Sequence, residues 1–268
     1  MLKIGIIGCG TIGSKLARAI VEDFSGASCL IGINDIDRNK SEILANSINP
    51  PPHILSQEEL IDSADLIIES ASKEVCAKIA RIVISKGKDI MVMSAGGLID
   101  SVGLFEEAKA KSCHIYVPSG AICGLDGIKS AFIGGIKKVV LTTRKPPLSL
   151  NGAPFIVKNK IDLFGIKGEK IIFEGSAREA IEGFPQNINV SVILSLAGIG
   201  VDKTRVRIIT SPDYKLNIHE IEAEGEFGKL ITRTENIPSP DNPKTSYLAI
   251  LSAIATLKGI LSNIRIGT

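Results

Sequence analysis

The segment LNIHEIEAEG, residues 216–225, carries His219, one of three histidines in a chain of 268 residues. Imidazole suits proton transfer near neutral pH, since its unperturbed pKa is about 6.5. Read as an extended strand, the segment puts Asn217, His219, Ile221 and Ala223 on one side and Glu220, Glu222 and Glu224 on the other. His219 therefore faces a core or a cleft, either as a packed, hydrogen-bonded residue or as a general acid/base. The other histidines, His53 in a proline-rich loop and His114 at a strand start, stand in no comparable pattern.

A second chemical pattern opens the chain. In KIGIIGCGTIGSKLARAI a short apolar run is followed by Gly8, Gly10 and Gly13 in G-x-G-x-x-G spacing, then by an amphipathic helix. Gly8 permits the tight turn, Gly10 lets a pyrophosphate approach the backbone, and Gly13 permits close packing of helix on strand. The amides around Thr11 and Ile12 lie at the positive helix end, where phosphate is favoured. The next apolar run, SCLIGIND, ends in Asp35, placed to accept hydrogen bonds from an adenosine ribose. Asp37 competes for that role and Arg38 is suited to a 2′-phosphate, so both NAD and NADP fit the pattern.

Strands and helices then alternate through SADLIIESA, KEVCAKIARIVISKG, DIMVMSAGG, LFEEAKAKS and CHIYVPSG. This order predicts an α/β, doubly wound Rossmann domain with a parallel sheet. Ligands of such sheets lie beyond the carboxyl ends of the strands, which nominates Ala71, Ser94, Ala95, Gly96, Ser119 and Gly120 as backbone on the cofactor side.

After Pro118 the character changes. SGAICGLDGIKSAFIG reads as a helix with apolar periodicity from Ile122, KKVVLTTRKPP as a strand stopped by prolines, and GSAREAIEGFP as a short helix with a Ser176/Glu179 capping box. PQNINVSVILSLAGIG is an apolar helix begun by Asn187 or Asn189; TRVRIIT, LNIHEIEAEG and GKLITRTENI are strands of a sheet with one exposed face. SPDNPKTSYLAILSAIATLKGIL predicts one long helix, capped by Asp241 or Asn242 with Pro243 in its first turn and apolar enough to return to the first domain. The expected organisation is a nucleotide domain, 1–117 plus 239–268, with an α+β substrate and dimerisation domain, 118–238, inserted.

Composition excludes several classes. With 31 Lys+Arg against 29 Asp+Glu the formal charge is only +2, so no basic face for a nucleic acid or a membrane surface is expected. Five scattered cysteines with no Cys-x-x-Cys pair and no histidine at ligand spacing predict buried thiols in a reducing compartment and no metal site. MLKIGIIGCG runs straight into strand and turn rather than a signal peptide, and no run of about 18 uncharged apolar residues occurs, so a cytoplasmic protein is expected. The apolar helices read as the interface of a homodimer.

The whole chain resembles the L-aspartate dehydrogenase family, the short two-domain NAD(P)-dependent type tied to pyridine nucleotide biosynthesis. The resemblance is carried by SGAICGLDG, GSAREA, FPQNINV, LAGIGVDKTRVRI, NIHEIEAEGEFG and ENIPSPDNPKTS together with the glycine turn. It implies His219 as the catalytic histidine, Asn189 as a cofactor contact, and a nicotinamide contact at Cys123, where the family commonly carries alanine. It matches Asp35 to the family's acidic residue after the second strand. The implied reaction oxidises L-aspartate with NAD or NADP to iminoaspartate, which hydrolyses to oxaloacetate and ammonia or passes on to quinolinate, with His219 as general acid/base. Two substrate carboxylates need cationic or N–H donors, for which Ser119, Arg178, Lys244 and Thr245 are candidates. The competing readings are another reductase of the dihydrodipicolinate or homoserine dehydrogenase architecture, and an NAD-sensing protein without turnover.

Overall fold

Short, wholly apolar runs cannot be half-exposed, and in the computed structural model they become the parallel strands of a covered sheet. The structure describes residues 1–99, 101, 103–185 and 189–267, apart from the side chains of Pro243 and Lys244. The chain divides into two units, Met1–Pro118 with Ile250–Arg265, and Ser119–Ala249 with the chain end from Ile266.

The first unit alternates β1 (Leu2–Ile7), α1 (Thr11–Glu22), β2 (Ser28–Asn34), α2 (Arg38–Asn46), β3 (His53–Ile54), α3 (Gln57–Ser63), β4 (Leu66–Glu69), α4 (Lys73–Ser85), β5 (Asp89–Val92), α5 (Leu104–Ala110) and β6 (Ile115–Tyr116). Its six strands are all parallel in the order β3-β2-β1-β4-β5-β6, the doubly wound arrangement. Strand alternation sends Ile4, Ile6, Leu66, Ile68 and Met91 into one core with Leu16 and Ile20 of α1, and Ile7, Ile67, Ile90 and Val92 into the other with Ile79 and Val83 of α4. The sequence reading passed over α3, although Ser56 and Glu59 form a complete capping box at its start and Leu60 and Ile61 are buried.

The second unit contains α6 (Leu125–Ile133), β7 (Ile136–Lys145), α7 (Pro154–Lys158), β8 (Lys170–Ser176), α8 (Ala177–Gly183), α9 (Asn189–Ala197), β9 (Arg205–Thr210), β10 (Asn217–Gly225), β11 (Gly228–Asn236), β12 (Pro238–Ser239) and β13 (Asn242–Ser246). Five strands form a mixed sheet in the order β11-β10-β7-β9-β8, in which β7 and β9 are parallel and the other pairs antiparallel. Register puts Leu141, Thr143, Lys145, Val206, Ile208, His219 and Ile221 on one face, against which α6, α8 and α9 pack. The opposite face carries Glu174, Arg205, Arg207, Glu220 and Glu222, laced by ion pairs such as Arg207–Glu174 at 3.0 Å. Phe155, Phe173 and Phe184 meet at centroid distances of 5.3 to 5.6 Å and tie α7, β8 and α8 together.

Two expected helix starts change. The helix after SGAIC starts at Leu125 rather than Ile122, because Gly124 at φ +80° cannot continue a right-handed helix into it. Of the two proposed starts for α9, Asn189 is its first described residue, while Asn187 lies outside the described residues. The long C-terminal helix is only α10 (Tyr247–Leu261); the polar stretch before it forms the β12–β13 hairpin instead. DNPKTS has no apolar side chain to bury on a helical face, so helix begins where the apolar run begins. Residues 239–249 accordingly group with the second unit, whereas Ala253 and Leu257 of α10 join the first unit's core beside Ile4 and Leu16.

Candidate active site

At the carboxyl end of β1 the three glycines differ in what they allow. Gly8 has φ +102°, donates its N–H to Asn34 O at 2.7 Å, and a Cβ on it would lie 2.5 Å from the Ser70 carbonyl. A Cβ on Gly13 would lie 2.0 Å from Gly8 O, so the first turn of α1 fits only without one. Gly10 has open space instead, with nothing within 4 Å of where a Cβ would be. No side chain caps α1, whose first-turn residues Thr11 and Ile12 are half-buried. Crowding below the turn and open space above it fit a pyrophosphate on the helix end.

Asp35 follows β2. Its carboxylate accepts from Cys9 N at 2.7 Å and from Asp37 N at 2.9 Å, which fixes it against the glycine turn. Asp37 is used differently: its side chain caps α2 by accepting from Asn39 N at 3.1 Å. The Arg38 guanidinium is exposed and paired with Glu42 at 2.9 Å.

Beside the glycine turn, Ser70 Oγ donates to Gly8 O at 2.7 Å. Glu69, at the end of β4, is fully buried, and its carboxylate accepts from Ala71 N at 2.9 Å and from Ser94 N at 3.1 Å. Burial pushes its pKa up, against the amide donors that pull it down. One carboxylate thus ties together the turns after β4 and β5, the backbone the sequence nominated through Ala71, Ser94, Ala95 and Gly96. Ala71 is exposed, Ser94 and Gly96 are half-buried, and Ala95 is buried.

In the second unit, β10 delivers His219 to the covered face of the sheet, where it is 5% exposed. Its direct cross-strand partners are Thr143 on β7 and Thr234 on β11. Nδ1 lies 3.0 Å from Thr143 Oγ1. Burial first, and the charge of Lys145 second, push the His219 pKa down to about 3. Lys145, two residues beyond Thr143 on the same face, is 7% exposed, and burial pushes its pKa down to about 8. Thr143, Lys145 and Ser191 line a hollow of about 10 Å³ with Leu150, Ala180 and Phe184, room for roughly one water.

The loop SGAIC is held over the same face by β11. Thr234 Oγ1 and Asn236 Nδ2 donate to Ala121 O at 2.9 and 3.0 Å, and Thr232 Oγ1 donates to Cys123 O at 3.2 Å. Threonines and asparagine two residues apart share one strand face, so the three anchors act in register. Cys123 is exposed, whereas Ser119 and Gly120 are half-buried. Asn189 is exposed as the first residue of α9.

The proposed carboxylate receptors fare differently. Arg178 is exposed and its guanidinium is held two-pronged by Asp202, at 2.6 and 3.2 Å. Thr245 is half-buried within β13 rather than on a helix turn, and the Lys244 side chain lies outside the described residues. Lys145 and Thr143 escaped the sequence reading, yet VVLTTRKPP carried the signal: alternation from Val139 and Leu141 puts Thr143 and Lys145 on the apolar side.

Comparison with known proteins bears on both units. Residues 126–260 match the family model described as aspartate dehydrogenase, C-terminal, and residues 8–118 match the one described as homoserine dehydrogenase, NAD binding domain. The chain is 50% identical to the L-aspartate dehydrogenase of Methanosarcina mazei, with all of both chains covered. It is 40% identical to that of Bradyrhizobium diazoefficiens, covering all of this chain and 94% of the relative. The crystal structure of aspartate dehydrogenase from Thermotoga maritima superposes with a TM-score of 0.76 at 28% identity over 100% of each chain. A homoserine dehydrogenase from Thiobacillus denitrificans shares the fold at a TM-score of 0.62 and 12% identity, over 97% of this chain and 73% of that one.

Proposed function

The chain belongs to the L-aspartate dehydrogenase family, and from that premise we propose that His219 is the proton-transfer group in its oxidation of L-aspartate by a nicotinamide dinucleotide. The observation that carries the role is the burial of His219 on the covered face of the second sheet, with its ring fixed by Thr143 at 3.0 Å. Bound at the glycine turn, the dinucleotide supplies the hydride acceptor, and L-aspartate becomes iminoaspartate, which water converts to oxaloacetate and ammonia.

The protein's own residues bind, orient and manage protons. Gly10, Thr11, Ile12 and Gly13 receive the pyrophosphate and Asp35 the adenosine ribose, while Cys123 and Asn189 are assigned to the cofactor by family likeness. For His219 Nε2 to take a proton, Nδ1 must carry one and donate it to Thr143 Oγ1. A pKa of about 3 keeps the imidazole neutral and able to accept at neutral pH. Substrate carboxylates beside it raise that value, because an anion favours the imidazolium. His219 then takes its proton from the substrate amine or from the water that attacks the imine.

We further infer a preference for NAD over NADP. Asp35 presents a carboxylate where a 2′-phosphate would bring like charge, and Arg38 is already paired with Glu42.

The deciding measurement is absorbance at 340 nm with L-aspartate and NAD or NADP, comparing wild type with His219→Ala. NADH formation by wild type and a loss of about 100-fold or more in the variant are expected, the size of a lost acid/base group. Undiminished turnover in the variant removes the assigned role, and signal with homoserine but none with aspartate removes the substrate.

A further inference from the structure

Oxidation of a four-carbon amino diacid requires that a second carboxylate be recognised. The described exposed cation among the earlier candidates, Arg178, is engaged by Asp202 on the surface. A different cation stands beside the candidate base. Lys145 closes β7, and Pro146 and Pro147 follow it, so its position in register with Thr210 is fixed; Thr210 Oγ1 donates to Lys145 O at 2.7 Å. Its side chain shares a face with Thr143 and His219, and its charge is felt at the imidazole.

A buried lysine on the same sheet face as a candidate catalytic histidine is a candidate for ligand binding. The water-sized hollow against Lys145 has the hydroxyl-bearing Thr143 and Ser191 in a lining that is otherwise apolar.

We propose that Lys145 is the residue that selects a dicarboxylate, its ammonium receiving one substrate carboxylate within reach of His219. The assignment rests on the aspartate reading of the site. Among the described residues, His219 is the titratable group that shares the covered face with Lys145, while Arg144, Arg207, Glu174 and Glu220 belong to the opposite face of the sheet. With burial holding its pKa near 8, Lys145 is charged at neutral pH and loses its proton above that value. Affinity for a diacid then falls as pH rises past about 8.

The test is calorimetric titration of succinate, a diacid that does not react, into the NADH-loaded protein as wild type, Lys145→Met and Lys145→Arg. Succinate binding is expected to weaken about 10- to 100-fold in Lys145→Met, the worth of a charge-assisted hydrogen bond, and to recover in part in Lys145→Arg. The alkaline fall in affinity is expected in wild type and absent from Lys145→Met. Circular dichroism with an unchanged NADH affinity checks that the variants are folded. Wild type that binds succinate no better than Lys145→Met overturns the proposal. NADH formation from aspartate by wild type is read separately, so failure of the aspartate reading is not mistaken for failure of the lysine.

Discussion

His219 on β10 and Thr143 on β7 are direct cross-strand neighbours whose side chains meet, Nδ1 to Oγ1, at 3.0 Å on the covered face of the second sheet. Antiparallel register, not proximity in sequence, makes this pair: 76 positions separate the two residues. The hydroxyl fixes the ring's orientation, and it can donate to Nδ1 or accept from it.

Thr143→Val keeps the β-branched shape and removes only the hydroxyl. Its kcat is expected to fall about tenfold, the worth of one such hydrogen bond, while KM for the dinucleotide stays at the wild-type value. Thr143→Ser retains most activity. Equal rates in wild type and Thr143→Val would show that Thr143 does not orient His219.

Acid sensitivity follows from the same histidine. Burial and Lys145 lower its pKa from 6.5 unfolded to about 3 folded, so between those values the unfolded chain binds a proton that the folded chain refuses. The stability it contributes is complete above pH 6.5 and is lost as pH falls towards 3, by up to about 1.4 kcal/mol per pH unit. Urea unfolding across this window should show a shallower pH dependence in His219→Gln than in wild type. Lys145, lowered from 10.5 to about 8, acts in the alkaline window: wild type gains stability as pH rises from 8 to 10.5, and Lys145→Met does not. Parallel pH profiles for wild type and variants would contradict both shifts.

Cofactor choice is testable at Asp35 and Glu42. Asp35→Ala removes the acceptor for the ribose hydroxyls and should raise KM for NAD about 10- to 100-fold, with NADP affected less. Glu42→Gln releases Arg38 from its partner and should improve NADP alone. Initial-rate kinetics with both cofactors measure the two ratios, and an unchanged NAD/NADP ratio in Asp35→Ala would exclude the carboxylate as the discriminator.

What was legible in the sequence was local. The apolar run LIIE, the glycine turn and the Ser176/Glu179 capping box each contain their own signal, and each forms as read. The order of the second sheet has no such signal: β7 lies between β9 and β10 because of pairings across the whole unit. Alternation in VVLTTRKPP puts Lys145 on the apolar side of its strand, but only the pairing of β7 with β10 sets that strand face beside His219. Asp37 shows the converse limit, since one carboxylate type serves as ribose acceptor or helix cap, and only geometry distinguishes them. Pro243 and the capping candidates Asp241 and Asn242 point to an earlier helix start, but DNPKTS offers no aliphatic face to bury, and α10 begins at Tyr247.

Glu69 offers a test of how the first unit shapes its ligand-facing turns. Its fully buried carboxylate accepts from Ala71 N and Ser94 N, which belong to turns after two neighbouring strands. Glu69→Ala leaves both amides without that acceptor, and each buried donor so stranded costs about 1–3 kcal/mol. A fall in thermal midpoint of about 5–15 °C is expected. Glu69→Gln can still accept from one amide but turns its own N–H₂ towards the other, so it should fall between wild type and Glu69→Ala. If the carboxylate shapes the turns for the cofactor, KM for NAD rises in Glu69→Gln even where the protein remains folded, while the affinity of the second unit for succinate is unchanged. A Glu69→Gln protein with lowered stability and wild-type KM for NAD would confine Glu69 to holding the strands together.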